Sequence, residues 1–382
     1  MPVPSSRPPI LALLAFLPLL ACAPQAPRLA GQGQLAPAAP AVQDVPRSRV
    51  GLLLPLSGAN KSLGEAMLNA AQLALFDQAD PEIEFLPRDT GGTPAGAAEA
   101  ARSALSAGAK ALAGPLTLSE TAAAAGPARA AHAPLIAFTS DADQGGGGVW
   151  VLGMTPGEQA ERMAAAAAAD GARRIGLLAP DDEFGRRLAG ALRAKLPALG
   201  LPPPFILLHA RLGDSAAAAR QLAEQAGPEG LDAVLLGLGR QRARAAAAAL
   251  AAALPAKPRF LGTAAWAAEP ALGTEPALAD AWFPGPDPGI RAQFDSRYQS
   301  AFGDRPPRLA GLAYDAAALA SRSLRDGRNA PPVGEALMGA DGPIRLTQEG
   351  LAQRGLAIFA LDPAGGEPRL IQPAPVPGAP GT

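Results

Sequence analysis

Two successive alternations of strand and helix constrain the fold of this chain most. Between residues 50 and 152, short apolar runs alternate with segments that keep their apolar residues on one helical face. The same alternation restarts at Glu158 and continues to residue 261. Buried strands separated by helices of about ten to fifteen residues form right-handed βαβ units in doubly wound parallel sheets. The sequence therefore predicts an α/β protein with two doubly wound parallel-sheet lobes.

The predicted elements follow from apolar periodicity and helix-capping residues. Strands are predicted at residues 50–54, 83–86, 110–113, 135–138, 149–152, 174–179, 205–209, 233–236 and 259–261. Helices are predicted at residues 63–76, 93–105, 118–131, 159–169, 184–196, 216–226 and 242–253. Alanine runs at 164–169 and 245–249 fall inside this alternation. Because alanine has the highest helix propensity, they indicate helices that pack closely on a sheet.

Charge and composition exclude several functional classes. The chain has 382 residues, with 33 basic and 34 acidic side chains, so it carries no electrostatic footprint for nucleic acid. His132, His209 and Cys22 are its only histidines and cysteine, which leaves little for a zinc site or a cysteine nucleophile. No Gly-x-Ser-x-Gly motif is present. We therefore expect a protein without catalytic activity and without a cofactor.

The N-terminus has the features of an exported protein. An apolar run at residues 10–20 follows Arg7 and is too short to span a bilayer, as in a signal peptide. It ends in Leu19-Leu20-Ala21-Cys22, which resembles a bacterial lipobox. The sequence predicts a signal peptide at residues 1–21, an acylated Cys22 and a Pro-rich tether to residue 48. The alternative is an ordinary signal peptide in which the cysteine occurs by chance.

Ligands of open α/β sheets bind beyond the carboxyl ends of the strands, where helix N-termini offer free N–H groups. Two lobes whose loops face each other form a cleft that closes about a hinge. Trp266 lies at the height of this cleft, where it either lines the cleft or packs in the core. The candidate cleft residues are Ser57, Gly58, Thr90, Gly114, Thr117, Thr139 and Ser140 of the first lobe and Phe184, Arg240 and Trp266 of the second.

Several motifs, in order along the chain, resemble the type I periplasmic binding proteins of the leucine/isoleucine/valine-binding branch. The matching segments are Val50-Gly51-Leu52-Leu53-Leu54-Pro55-Leu56-Ser57-Gly58, Asp89-Thr90-Gly91-Gly92, Ala113-Gly114-Pro115, Asp181-Asp182-Glu183-Phe184-Gly185, Tyr314-Asp315-Ala316 and Gly342-Pro343-Ile344. The first two segments and the lipobox are most similar to a lipoprotein subgroup, the penicillin-binding protein activators. Those lipoproteins lie in the outer membrane and stimulate peptidoglycan synthases.

The resemblance also implies the domain organisation. The chain would cross between the lobes near residues 151–156, 281–286 and 328–334. Lobe one would contain residues 49–152 and 285–330, and lobe two residues 157–282 and 335–370. Residues 371–382, with several prolines, are expected to form a flexible tail.

The family's amino-acid binders hold the ligand carboxylate on lobe one and its ammonium with acids and aromatics on lobe two. Here Thr117, Thr139 and Ser140 retain hydroxyls on lobe one, whereas Arg240 replaces an aromatic residue and an Ala-Ala pair at 264–265 replaces the usual acid. An ammonium group without a strong acceptor is costly to desolvate, which disfavours a free amino acid as ligand.

Two functional hypotheses follow. In the first, the chain is a non-catalytic lipoprotein that docks on a peptidoglycan synthase, anchored in the periplasm and more consistent with the outer membrane than the inner. In the second, it is the lipid-anchored receptor of an ABC importer for amino acids or another small polar ligand, and its partner is a permease.

Overall fold

The computed structural model describes residues 47–325, 327 and 330–378. The predicted signal peptide, Cys22 and nearly all of the tether lie outside the described residues, as do residues 379–382 of the predicted tail. Within the described part of the chain, no helix is long and apolar enough to cross a membrane.

Lobe one is built on a five-stranded parallel sheet in the order β2-β1-β3-β4-β5. Val50 and Leu52 to Leu54 of β1 are buried on both faces, as expected of a central parallel strand. The strands are β1 (Ser48–Leu54), β2 (Ile83–Asp89), β3 (Ala109–Ala113), β4 (Leu135–Ala137) and β5 (Val149–Val151). The helices between them are α1 (Lys61–Gln78), α2 (Pro94–Ser106) and α3 (Leu118–Ala130).

Lobe two is built on a seven-stranded sheet that is parallel through five of its strands. These are β6 (Ile175–Pro180), β7 (Phe205–His209), β8 (Ala233–Leu236), β9 (Arg259–Leu261) and β10 (Trp282–Gly285). Its helices are α4 (Pro156–Ala169), α5 (Glu183–Ala198), α6 (Ser215–Ala226) and α7 (Arg240–Ala253). Two antiparallel strands, β14 (Ala357–Ala360) and β15 (Arg369–Gln372), extend the sheet beyond β10.

The parallel parts of the two sheets have the same strand order. The order β7-β6-β8-β9-β10 of lobe two repeats β2-β1-β3-β4-β5 of lobe one. In both, the chain reverses its direction of winding beside the first strand of the lobe, which is where open α/β sheets leave a crevice for ligands. The predicted two-lobed α/β fold is therefore confirmed, with antiparallel strands added at one edge.

The two sides of each sheet are covered by separate apolar cores. In lobe one, α2 and α3 pack on one side through alanines such as Ala104 and Ala124, which let the helices approach closely. On the other side α1 packs against α8 (Pro288–Phe302) and α9 (Ala310–Arg325), the helices that follow β10. In lobe two, α6 and α7 cover one side and α4 and α5 the other.

The C-terminal part of the chain departs from the predicted domain boundaries. Residues 335–370 were expected in lobe two, but a three-stranded antiparallel sheet packs against the α1–α9 side of lobe one through Ile344, Leu346 and Ala352. Its strands are β11 (Ala336–Gly339), β12 (Gly342–Leu346) and β13 (Ala352–Arg354). The chain therefore returns to lobe two at residues 355–356, between β13 and β14, and not near 328–334. The predicted tail also begins too early, because β15 extends to Gln372.

Candidate functional site

A cavity of about 800 Å³ lies between the lobes at the carboxyl ends of the strands. Four of the predicted cleft residues line it: Thr117, Thr139, Ser140 and Phe184. The remaining six, all within the described part of the chain, lie outside its lining. Most of the other lining side chains are apolar, and they are Leu63, Leu116, Leu118, Phe138, Met154, Pro156, Leu309 and Leu312.

The loop after β1 is stabilised by a carboxylate of the chain itself. Asp89, at the end of β2, accepts hydrogen bonds from the backbone N–H groups of Leu56, Ser57 and Gly91 at 2.8, 3.1 and 2.8 Å. The hydroxyl of Ser57 and these amides hold the pKa of Asp89 below its ordinary value. The amides of Leu56 and Ser57 are therefore already hydrogen-bonded to a carboxylate. Ser57 and Gly58 lie outside the cavity lining.

Thr90 and Thr117 are joined by a buried acid. The Thr90 hydroxyl donates to Glu120 Oε1 at 2.6 Å, and the Thr117 hydroxyl donates to Glu120 Oε2 at 2.7 Å. Glu120 is completely buried, and its N–H donates back to Thr117 Oγ1 in a capping box at the start of α3. Thr90 consequently has a structural role. Thr117 lines the cavity, but its hydroxyl group already donates its hydrogen bond to Glu120.

Gly114 also has a structural role. Its φ of 98° lies in the region that favours glycine, and a β-carbon at this position would collide with the carbonyl of Leu53. The turn after β3 therefore brings the backbone against β1, and the N-terminus of α3 follows it at the cavity.

Thr139 and Ser140 follow β4 and supply hydroxyls to the cavity. Thr139 is buried, and its Oγ1 accepts a hydrogen bond from the backbone N–H of Asp141 at 3.2 Å. Ser140 is exposed. Together with Thr117, they are the predicted lobe-one hydroxyls that line the cavity.

Of the three residues predicted at the cleft on lobe two, one lines the cavity and two do not. Phe184 is partly exposed and lines the cavity at the start of α5. Arg240 begins α7 with an exposed side chain near Glu269 and lies outside the cavity lining. Trp266 is completely buried, and its indole Nε1–H donates to the carbonyl of Leu238 at 2.7 Å. The expectation that Trp266 contributes to the cleft is corrected: its ring fills the core between β8, β9 and α7, and its one polar atom is satisfied there.

An ion-pair cluster at the mouth of the cavity was missed by the sequence analysis. Arg187, one turn into α5 of lobe two, donates to Asp141 of lobe one at 3.0 Å and to both carboxylate oxygens of Asp143, one of them at 3.1 Å. Its Nε lies 2.8 Å from Glu183 on the same helix. We call Arg187, Asp141, Asp143 and Glu183 the latch cluster. These acids raise the pKa of Arg187, and Arg187 lowers the pKa of Asp143.

A second cluster joins the lobes where the chain crosses between them. Arg354, at the end of β13, donates to the Leu152 carbonyl from Nε at 3.0 Å and from Nη2 at 2.9 Å, and to Asp315 of α9 at 3.2 Å. Its backbone N–H donates to Glu158 Oε1 at 2.8 Å, and Glu158 caps the first turn of α4. We call Arg354, Asp315 and Glu158 the hinge cluster. Burial raises the pKa of Asp315 to about 6 and that of Glu158 to about 7.

Two lobes, a hinge crossed more than once and a cleft at the strand ends define a binding protein of the periplasmic type. Residues 48–340 match the family model described as periplasmic binding protein, and the chain belongs to that family. The family is one of binding proteins, and nothing in the match or in the similar structures indicates catalysis. The family is that of periplasmic and envelope proteins. No curated protein sequence matches the chain significantly.

Solved structures share the fold at low sequence identity. A putative branched-chain amino acid ABC transporter protein from Rhodospirillum rubrum is 19% identical with a TM-score of 0.71, over 85% of this chain and 100% of that one. The C-domain of LpoA from Haemophilus influenzae, a regulator of PBP1A, is 19% identical with a TM-score of 0.66, over 85% of this chain and 100% of that domain. The match covers 60% of full-length LpoA. The predicted resemblance to both groups is thereby confirmed, and it establishes the fold.

Proposed function

We propose that the chain is a non-catalytic lipoprotein of the bacterial envelope that docks on a peptidoglycan synthase. The observation that carries this proposal is the latch cluster. In a receptor that signals by closing on its ligand, the ligand supplies the contacts that join the lobes. Here Arg187 of lobe two and Asp141 and Asp143 of lobe one supply such contacts from the chain itself. A surface that spans two lobes joined in this way suits protein docking.

The cavity chemistry further disfavours a free amino acid. Asp141 and Glu183, the carboxylates in its lining, are both ion-paired with Arg187. The backbone N–H groups of Leu56 and Ser57 after β1 already donate to Asp89, so these two are not free to bind an anion. A zwitterionic ligand would have to displace Arg187 and bring a carboxylate close to acids.

The anchor is part of the same proposal. Cys22 follows a signal-peptide core and is the only cysteine of the chain, so its acylation would tether the folded lobes through residues 23–48. Two or more acyl chains give stable anchoring, whereas one gives only marginal binding. Cys22→Ser should release the protein from the membrane fraction, and retention in the outer-membrane fraction of wild-type cells would support that location. Equal fractionation of both proteins would contradict lipidation.

Reconstitution tests the docking function directly. The lipidated full-length protein is added to a detergent-solubilised peptidoglycan synthase of the same bacterium, and glycan polymerisation is followed over time. We expect a higher rate and recovery of the synthase after crosslinking in cells. An unchanged rate, with crosslinked ABC permeases recovered in place of the synthase, would overturn the proposal. The heat-denatured protein serves as the control for detergent and lipid effects.

One observation favours a second candidate function, the receptor of an ABC importer. The cavity of about 800 Å³ is large enough for a small molecule, and Leu118, Phe184 and Leu309 expose apolar surface in it. Such a concave, mostly apolar site with a few polar groups is typical of small-ligand binding.

Thermal unfolding in the presence of amino acids, short peptides and muropeptides separates the two functions. A ligand at 100 times its dissociation constant adds about 2.7 kcal/mol to the free energy of unfolding. A clear rise of the midpoint with one class of compound would support import. Unchanged midpoints throughout the screen would leave docking as the function to pursue by reconstitution.

A further inference from the structure

The latch cluster has an unequal charge balance. One guanidinium faces three carboxylates, those of Asp141 and Asp143 from lobe one and Glu183 from lobe two. Glu183 also lies 3.6 Å from Arg186, which belongs to lobe two. The contacts across the cleft therefore depend on Arg187, and the surroundings of its guanidinium carry excess negative charge.

Arg187 is also better enclosed than its neighbour. Its side chain is 20% exposed, against 55% for Arg186, which pairs with Asp181 and Glu183 of its own lobe. Asp141 is similarly enclosed at 22%. Ion pairs that are partly removed from water are less screened than surface pairs. The ion pairs of Arg187 are therefore stronger than those of Arg186.

We propose that Arg187 is a latch that holds the cleft closed and that a small organic cation releases it. A guanidinium or primary ammonium group with an apolar substituent can replace Arg187 at Asp141 and Asp143, while the substituent contacts Phe138 and Phe184 in the cavity lining. An anion of the same size meets the excess negative charge and is excluded. The latch acts on the lobes whichever partner their joint surface binds, so it does not depend on synthase docking.

The latch is tested directly by measuring the distance between the two lobes. The full-length chain with Cys22→Ser carries two fluorophores, at Glu99→Cys in α2 of lobe one and Glu224→Cys in α6 of lobe two, both exposed helix positions. Energy transfer is compared among the wild-type background, Arg187→Gln and the matched control Arg186→Gln. Because a pair worth about 1 kcal/mol corresponds to roughly fivefold in a conformational equilibrium, we expect the open fraction to rise about fivefold in Arg187→Gln. Arg186→Gln should match the wild type.

The charge selectivity is tested on the wild-type background with n-butylammonium chloride and sodium butyrate. Each compound is added at ~0.1 M, and a separate control sample receives ~0.1 M NaCl. The Debye length is then ~10 Å in all three samples. Butylammonium should open the lobes more than NaCl, and butyrate should match NaCl. In Arg187→Gln, butylammonium should open the lobes no more than NaCl does, because no Arg187 contact remains to be replaced.

Two results would overturn the proposal: equal energy transfer in Arg187→Gln, Arg186→Gln and the wild type, or opening by butyrate as strong as that by butylammonium. Circular dichroism establishes that each variant is folded. Should Arg187→Gln fail to fold, Arg187→Lys replaces it. A lysine reaches fewer carboxylate oxygens and should give an intermediate open fraction.

Discussion

The latch cluster and the hinge cluster both place one arginine among carboxylates of two lobes, yet water reaches them very differently. In the latch cluster the side chain of Arg187 is 20% exposed and that of Asp143 is 73% exposed. In the hinge cluster the side chains of Arg354 and Asp315 are 4% and 1% exposed. Similar charges therefore act in two environments.

Exposure determines what each cluster does. Exposed ion pairs contribute about 0 to 1 kcal/mol and are weakened by salt, so they shift a conformational equilibrium without deciding whether the protein folds. Buried charges lose their hydration, and removing one partner leaves the other uncompensated. The hinge cluster is thus a fixed joint between Leu152, Asp315 and Glu158, whereas the mouth of the cleft is adjustable.

The largest effect is expected from Arg354→Met. This substitution leaves Asp315 buried without its cation and removes two hydrogen bonds to the Leu152 carbonyl. We expect a loss of about 3 to 5 kcal/mol in the free energy of unfolding at neutral pH, measured by urea denaturation. A loss below about 1 kcal/mol, the value for an exposed pair, would remove the distinction between the clusters.

The pH dependence of stability sharpens the comparison. The pKa values of Asp315 and Glu158 are raised to about 6 and about 7, so the folded state binds protons more tightly than the unfolded state. Their contribution to stability is complete below the unfolded pKa values and is lost as the pH rises through about 6 to 7. Urea denaturation should therefore show a decline between pH 5 and pH 8 that is clearly smaller in Glu158→Gln.

Glu99→Gln is the matched control for this measurement, because the Glu99 side chain is exposed beside Arg102. Its pH profile should follow that of the wild type. Identical profiles for Glu158→Gln and the wild type would show that Glu158 does not titrate in this range.

Arg187→Gln should change global stability far less than Arg354→Met. Its partners Asp143 and Glu183 remain solvated after the substitution, so we expect a loss of at most about 1 kcal/mol in urea denaturation. A loss as large as that of Arg354→Met would show that the latch is part of the folding core.

The smallest effect concerns salt. At ~1 M NaCl the Debye length falls to ~3 Å, so the stability difference between the wild type and Arg187→Gln should shrink clearly, since Asp143 and Glu183 are exposed. The difference between the wild type and Arg354→Met should persist, because buried pairs are little screened. Urea denaturation of the three proteins at low and high salt tests both statements, and an undiminished Arg187 difference would contradict the screening argument.

The fold was predictable where structure follows from local sequence. Strands such as β1 and β8 are continuous apolar runs, and the helices after them carry caps and apolar faces that are visible in the sequence. The third crossing was not predictable in this way. β11 to β13 are short, and the apolar run Ala336 to Met338 of β11 is not buried, so apolar pattern does not indicate on which lobe this sheet packs.

The site was predictable only in part, because its charged side chains contact partners that are far away in the sequence. Loop positions at strand ends identified Thr139 and Phe184. In contrast, Arg187 meets Asp141 across 46 residues, and Arg354 reaches Leu152 across 202. The four-residue spacing of Glu183 and Arg187 was the one local signal, and it fits any helix surface equally well.

The antiparallel edge of lobe two determines where this chain tolerates shortening. β14 lies between β10 and β15, and its residues Ala357, Ile358 and Ala360 are buried. A truncation before residue 357 would uncover the hydrogen-bonding edge of β10 together with apolar side chains, a combination that promotes aggregation. Purification tags and reporter fusions therefore belong beyond Gln372, where the last strand has ended.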